Sequence, residues 1–305
     1  MHYLLILCLF WMTSLQLKAQ INEADSSVQV VAYWQMEEEL TYGILQTEMA
    51  ISEVDTTIQH SLYYEVNRRI LDSTESSYKT KWSYDSFYIY APNDLKIKSL
   101  KLGRDAPLMV QTDEFGQLEK VLNWQKVRAV ALDTTSYLKG KYGTIPSLAM
   151  FIEALENDFH SEAAIKNNVL WELQHYHLFY ATKLKLNEVY DGDIRMPNPF
   201  GAQSLQAQVR VYLADFDIEK RTYEVRAVQR VEQEGLRNSY YGYMQERAHL
   251  MGEDVPTWED LADMQLQIFT VTLFDEAGRL IESNRIRTLL MGNTKQLIIE
   301  EIFQK

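Results

Sequence analysis

Tyr78-Lys79-Thr80-Lys81-Trp82-Ser83-Tyr84-Asp85-Ser86-Phe87-Tyr88-Ile89-Tyr90 alternates residue by residue. Its even positions carry Tyr78, Thr80, Trp82, Tyr84, Ser86, Tyr88 and Tyr90, and its odd positions begin with Lys79, Lys81, Ser83 and Asp85. Successive side chains of a strand point to opposite faces, so the stretch predicts a β-strand with one aromatic face. Working outward, residues 61–71 predict a second strand with Leu62, Tyr64 and Val66 on one face. Residues 28–34, rich in β-branched and aromatic side chains, predict another, and residues 97–102 and 108–111 continue the β reading. Thr112-Asp113-Glu114-Phe115-Gly116 reads as a hairpin connection, Gly116 supplying the positive φ that such turns need, and residues 117–122 pair back.

The pattern then changes to helical. Asn123 stands as an N-cap before Trp124, Val127, Val130, Ala131 and Leu138, with Gly140 and Gly143 as the stop. Pro146 opens a second helix carrying Leu148, Ile152, Leu155 and Phe159 on one stripe. Ser161 caps a third, with Ile165, Val169, Leu173, Tyr176 and Tyr180 at near four-residue steps. From residue 183 the chain reads as β again: strands at 183–190, 206–216, 221–231, 264–274, 279–290 and 297–303, with one helix at 235–251. Asp191-Gly192-Asp193 reads as a turn and Pro197-Asn198-Pro199-Phe200-Gly201 as a loop.

Two landmarks recur in order. Tyr64-Glu65-Val66 returns as Tyr223-Glu224-Val225, and Asp113-Glu114-Phe115-Gly116-Gln117-Leu118 returns as Asp275-Glu276-Ala277-Gly278-Arg279-Leu280. Either the β module is duplicated, or hairpins reuse the same turn residues independently. The fold expectation is α+β: a curved antiparallel β-sheet in two halves, open to a reading as duplicates, joined by a three-helix segment. The expected division is a signal peptide at 1–19, an N-terminal β module at 20–122, a helical connector packed on the sheet at 123–182, and a C-terminal β module with one inserted helix at 183–305.

Residues 3–12 form an apolar run too short to span a bilayer as a helix and suited to a signal-peptide core, with cleavage expected after Ala19. The single cysteine, Cys8, lies inside that run rather than at its end, which argues against a lipidated cysteine. The mature chain then has no thiol for disulfides or metal, and no later stretch is long enough for a transmembrane helix. The protein is expected in the periplasm or secreted. With 30 basic and 43 acidic residues, a formal charge of −13, nucleic acid is not an expected partner.

Residues 30–34 (Val30-Val31-Ala32-Tyr33-Trp34), the strand from Tyr64 to Leu71, the turn Thr112–Gly116 leading into Asn123-Trp124, and the loop Asn198-Pro199-Phe200-Gly201 together resemble a group of secreted Bacteroidota proteins of unassigned function. The resemblance extends over most of the mature chain and rests on turns, caps and aromatic strands. It implies compartment and lineage, and brings no catalytic residues with it.

Candidate chemistry is sparse. His175 and His177 on a helix point about 200° apart, so they cannot share a metal; His177 is expected packed and His175 solvated. Ser136–Lys139 and Ser76–Lys79 match a serine–lysine pairing, but no Lys-Thr-Gly partner exists. Asp191 and Asp193 lack the further oxygens of a calcium loop and read as solvated turn carboxylates. No metal, cofactor or catalytic residue is assigned. The aromatic face remains: Trp82, Tyr84, Tyr88 and Tyr90 are the candidate ligand-binding residues, able to stack on a sugar or an apolar chain. The competing and favoured reading packs this face on the helices of 123–182. The leading function is a non-enzymatic envelope protein binding an apolar or glycan ligand, or a protein partner, on a sheet face. The alternatives are a hydrolase whose acidic site is illegible in sequence and an assembly component.

Overall fold

A computed structural model describes residues 21–90, 98, 101, 102, 104–201, 203–255, 257–259 and 261–305. The chain is α+β and mostly antiparallel sheet. Strands β1 (Ile21–Asn22), β2 (Ser27–Gln29) and β8 (Lys183–Lys185) make a small sheet in the order β1-β2-β8. The large sheet has eleven strands. Its N-terminal run is β3 (Glu39–Ile51), β4 (Thr56–Ser73), β5 (Ser77–Tyr90), β6 (Leu108–Asp113) and β7 (Leu118–Val121). Its C-terminal run is β9 (Val189–Met196), β10 (Leu205–Asp217), β11 (Thr222–Val231), β12 (Met264–Asp275), β13 (Leu280–Met291) and β14 (Thr294–Gln304). Each run is a meander, and β14 pairs with β3, giving β7-β6-β5-β4-β3-β14-β13-β12-β11-β10-β9. The two halves therefore share one continuous antiparallel sheet.

Helices α1 (Trp124–Tyr142), α2 (Pro146–Asp158), α3 (Glu162–Ala164) and α4 (Trp171–His177) follow β7, and α5 (Gln233–Met251) lies between β11 and β12. One sheet face is apolar at alternate positions and packs on α4. Tyr42 and Ile44 of β3, Leu62, Tyr64 and Val66 of β4, Trp82 of β5 and Tyr223 and Val225 of β11 join Leu173, Tyr176 and Tyr180 in the main core. Each such side chain contributes about 1.5–3 kcal/mol by leaving water. Leu236 of α5 closes a second, smaller cluster with Leu205, Met264, Leu266 and Leu289.

Several expectations change. Strand β3 was not anticipated. Of residues 28–34 only the start pairs as a strand. The rest threads extended between loops, with Val30 N–H donating to Thr182 O, Ala32 N–H to Phe115 O and Tyr33 N–H to Ala277 O. Lys98 and Lys101 are helical where a strand was expected, and most of 97–102 otherwise lies outside the described residues, as does the proposed signal peptide. Asn123 does not cap α1 with its side chain; its Oδ1 accepts from Met109 N–H at 2.8 Å and its Nδ2 donates to Pro107 O at 2.8 Å, tying the helix start to β6. Ser161 does cap, accepting from Ala164 N–H at 3.1 Å, but the third helix is broken by a π-turn at Ile165–Val169 before α4. Asp191-Gly192-Asp193 is not a turn: it lies within edge strand β9 opposite Val209 and its neighbours, where Arg210 pairs with Asp191 at 2.8 Å.

The two hairpin turns are alike in detail. Asp113 Oδ1 accepts from the N–H groups of Phe115 and Gln117, and Asp275 Oδ1 from those of Ala277 and Arg279. Gly116 and Gly278 both take positive φ, 98° and 68°. The other landmark does not follow. Tyr64 on β4 is two strands away from β6, whereas Tyr223 on β11 is adjacent to β12. The recurrence that stands is one of turn chemistry, and duplication is not shown.

Candidate functional site

The aromatic stretch does not stay on one face. Ser86 adopts φ 53°, and the β4–β5 register shifts there, from Glu65↔Asp85 to Tyr63↔Tyr88. This bulge puts two residues opposite one and reverses the alternation beyond it. Trp82 and Tyr84 face the helices: Trp82 is fully buried and meets Tyr176 edge-on at 5.1 Å, and the Tyr84 hydroxyl donates to Glu172 at 3.0 Å. Past Ser86, Phe87 takes over that face, stacking on Tyr64 at 5.3 Å. Tyr88 and Tyr90 emerge on the opposite face, 67% and 65% exposed, with Tyr88 5.9 Å from Tyr63. The four residues singled out from the sequence are thus divided between two surfaces.

The remaining sequence candidates stay apart or turn structural. Ser136 and Lys139 are exposed, and Lys139 reaches Glu156; Lys79 pairs with Asp72 rather than Ser76. Among the described residues there is no cluster of three or more His, Asp or Glu able to hold a metal. His177 is buried, its Nδ1 2.7 Å from Gly116 O; burial pushes its pKa down to about 3, so the ring is neutral. His175, expected in solvent, is buried as well. The reason is that α4 is enclosed on both flanks, the far flank meeting β13.

Polar groups on the covered face form paired networks. Arg68 is fully buried over the Trp34 ring at 4.3 Å and donates to Tyr176 Oη and to Glu38 Oε1, both at 2.8 Å. Burial disfavours its cation, but Tyr176, Tyr42, Tyr180 and Glu38 more than offset that and hold its pKa above the usual range. Glu38 Oε2 also accepts from Arg279 at 2.7 Å. Further along, Glu300 accepts from Gln46 at 3.2 Å and meets Arg285 at 3.3 Å, while Glu48 meets His60 at 3.0 Å.

One cleft opens into this face beside α4. It has a volume of about 110 Å³ and is bounded by Gln174, His175 and Leu178 on the helix side, Ile194, Arg195, Met196 and Pro197 on the β9 side, and Gln229 and Arg285 on the floor. Its polar atoms are incompletely matched. His175 Nε2 lies 2.7 Å from Ser283 Oγ, which is itself 2.5 Å from Thr272 Oγ1 and 3.2 Å from Val271 O. Ser283 Oγ donates its one proton to Val271 O, so the neutral ring carries its proton on Nε2 and donates it to Ser283 Oγ. Nδ1 is buried without a partner. Burial, then the charge of Arg285, hold the His175 pKa well below its ordinary value. Beyond the cleft the same face continues as half-exposed Val209 and Val211, with Gly192 opposite Val209 leaving that part of β9 bare of any side chain. No helix among the described residues is long and apolar enough to cross a membrane.

Sequence reading missed Arg285, Ser283 and Gln229. For Arg285 and Ser283 a bulge again explains why. The β12–β13 register shifts between Leu273 and Phe274, so that Leu280 faces inward opposite Phe274 while the inward set continues as Ser283, Arg285 and Leu289. Strict alternation from Leu280 would have placed Ser283 and Arg285 outside.

No protein-family model matches the chain, and no curated protein matches it. Among solved structures, one of lipovitellin concerned with lipid–protein interactions aligns at a TM-score of 0.35 and 13% identity, over 89% of this chain and 25% of that one. The chain thus spans a quarter of the lipovitellin's length. A Bacteroides fragilis protein described as exported, with a YmcC-like fold, aligns at a TM-score of 0.22 and 5% identity, over 89% of this chain and 97% of that one. Likenesses this weak assign neither family nor function.

Proposed function

We propose that the chain is an exported, non-enzymatic binding protein that takes an elongated, largely apolar ligand on the helix-bearing sheet face. The observation that carries this reading is the cleft beside α4 and its continuation over Gly192, Val209 and Val211. At about 110 Å³ the cleft is smaller than the roughly 300–1,000 Å³ of a whole small-molecule pocket. It suits one end of a chain, the remainder lying along the half-exposed valines. A hydrolase reading gains no support from Ser283 and His175. Ser283 is fully buried, its hydroxyl is engaged by Thr272 and Val271, and His175 Nδ1 lacks the carboxylate that would orient a base.

The neutral fluorophore N-phenyl-1-naphthylamine tests the reading. Its fluorescence should rise and saturate with the parent protein. In Gly192→Phe, the ring fills the bare stretch of β9; a Cβ there meets only Val209 Cγ1 at 3.7 Å, so the fold should tolerate it. Affinity should fall at least about fivefold, near 1 kcal/mol, with an unchanged melt. Identical titrations of the two proteins would remove the ligand from this face.

Export has its own test. Mass spectrometry of the protein recovered from its native host should find the chain starting at Gln20. Intact residues 1–19 in a cytoplasmic fraction, or a lipid adduct on Cys8, would overturn it.

A further inference from the structure

We infer that the cleft beside α4 recognises the carboxylate of a carboxylate-terminated chain, with the Arg285 guanidinium and the Gln229 amide as its donors; this rests on the ligand-binding reading of the face. Two features point to an anion. Arg285 lines the cleft with its side chain only 18% exposed, and spends its guanidinium on one contact, with Glu300, out of five N–H donors. Gln229, on the floor beside it, has no side-chain hydrogen bond among the described residues. Guanidinium and amide N–H groups without a protein acceptor are the groups that a ligand oxygen would match.

The charge around the cleft agrees. Two residues along β13 from Arg285, Arg287 faces the same way and has no hydrogen bond or ion pair among the described residues. Burial, together with Arg285, makes its cation less favourable, and only Glu300 and Glu48 counter this. Glu300 is already shared with Gln46 and Arg285, and Glu48 with His60 and Gln296. In a chain of formal charge −13 this is a local surplus of positive charge on a partly covered face. The surplus is small: Arg285 shares Glu300, and Arg195, exposed at the rim, turns toward Ser204 O, which fits a monoanion better than a dianion. The walls decide the rest of the ligand: Leu178, Ile194, Met196 and Pro197 are apolar, so the carboxylate would carry a hydrocarbon chain.

Calorimetric titration with four ten-carbon probes separates the alternatives: decanoate, decanol, decyltrimethylammonium and decyl phosphate. Decanoate should bind at least about tenfold more tightly than decanol, with decyltrimethylammonium weaker than either. In Arg285→Gln the preference for decanoate over decanol should vanish while decanol affinity stays, and Arg285→Lys should restore part of it. Should Arg285→Gln fail to fold, Gln229→Leu serves instead, lowering decanoate affinity about threefold or more without touching decanol. Equal binding of decanoate and decanol, or a preference that survives Arg285→Gln, would overturn head-group recognition and leave the apolar-ligand reading standing. Tighter binding of decyl phosphate would overturn the carboxylate assignment in favour of a phosphate head. No binding of any probe would overturn both readings together.

Discussion

Trp82→Ala is expected to lower the folding free energy by about 3–5 kcal/mol, the range for a large aromatic removed from a core that cannot close over the gap. Trp82 is fully buried at the centre of the N-terminal half. It lies across from Arg68 on β4 and Leu108 on β6, its ring edge-on to Tyr176 at 5.1 Å, and its Nε1–H donates to Thr80 Oγ1 at 3.1 Å. Truncation removes the surface on which α4 rests and leaves the Thr80 hydroxyl without that donor. For a chain of this size the loss corresponds to a melting temperature lower by roughly 6–15 °C. Trp82→Phe should lose clearly less, because a ring still faces Tyr176. A calorimetric melt of Trp82→Ala that matches the parent would mean that the residue does not sit in the core, and would return it to the set of ligand-face candidates. Tyr88→Ala, on the exposed surface, is the internal control and should stay within about 0.5 kcal/mol.

Glu38→Gln should cost a similar amount, about 3–5 kcal/mol, by a different route. One carboxylate joins two arginines from opposite runs of the sheet: Arg68 of β4 at 2.8 Å and Arg279 of the β12–β13 hairpin at 2.7 Å. Arg68 is fully buried, so once the negative charge is gone its cation has no aqueous alternative. The phenol oxygen of Tyr176 remains as an acceptor but supplies no countercharge. The penalty is therefore that of an uncompensated buried cation, not the loss of one hydrogen bond. The double replacement Glu38→Leu with Arg68→Met separates the two. If the penalty is the orphaned charge, the double variant should recover most of the stability in denaturant titration. If it is as unstable as Glu38→Gln, the pair itself, and not its neutrality, holds residues 30–38 against the sheet. Buried charges are poorly screened, so the cost should persist at high salt.

The elements that were legible in the sequence are those whose signal is local. Pro146 at the first turn of α2 and Ser161 ahead of α3 act through the backbone groups next to them, and both boundaries are where the sequence puts them. The Asp113 and Asp275 turns are equally local: one carboxylate oxygen collects two N–H groups within four residues, and a glycine takes the positive φ. Strand β4 shows its buried Leu62, Tyr64 and Val66 by plain alternation. Strand β3 fails the same test because its covered positions run Tyr42, Ile44, Gln46, Glu48 and Ala50, where Gln46 and Glu48 face Glu300 and His60 instead of apolar side chains. A strand whose buried face is half polar has no hydrophobic period to read.

What the sequence by itself determined is the inventory: antiparallel strands in two runs, a helical segment at 123–182 with a further helix near 235–251, and tight aspartate–glycine turns. What only the tertiary structure decided is which side chains share a surface. Alternation is a property of one strand, but its phase can be reversed by a bulge, and a bulge is a mismatch between two strands. At Ser86 it sends Tyr88 and Tyr90 away from Trp82 and Tyr84; between Leu273 and Phe274 it brings Ser283 and Arg285 inward to meet His175. Neither mismatch is encoded in the strand whose side chains it redirects, because counting residues against a partner requires the partner to be in place.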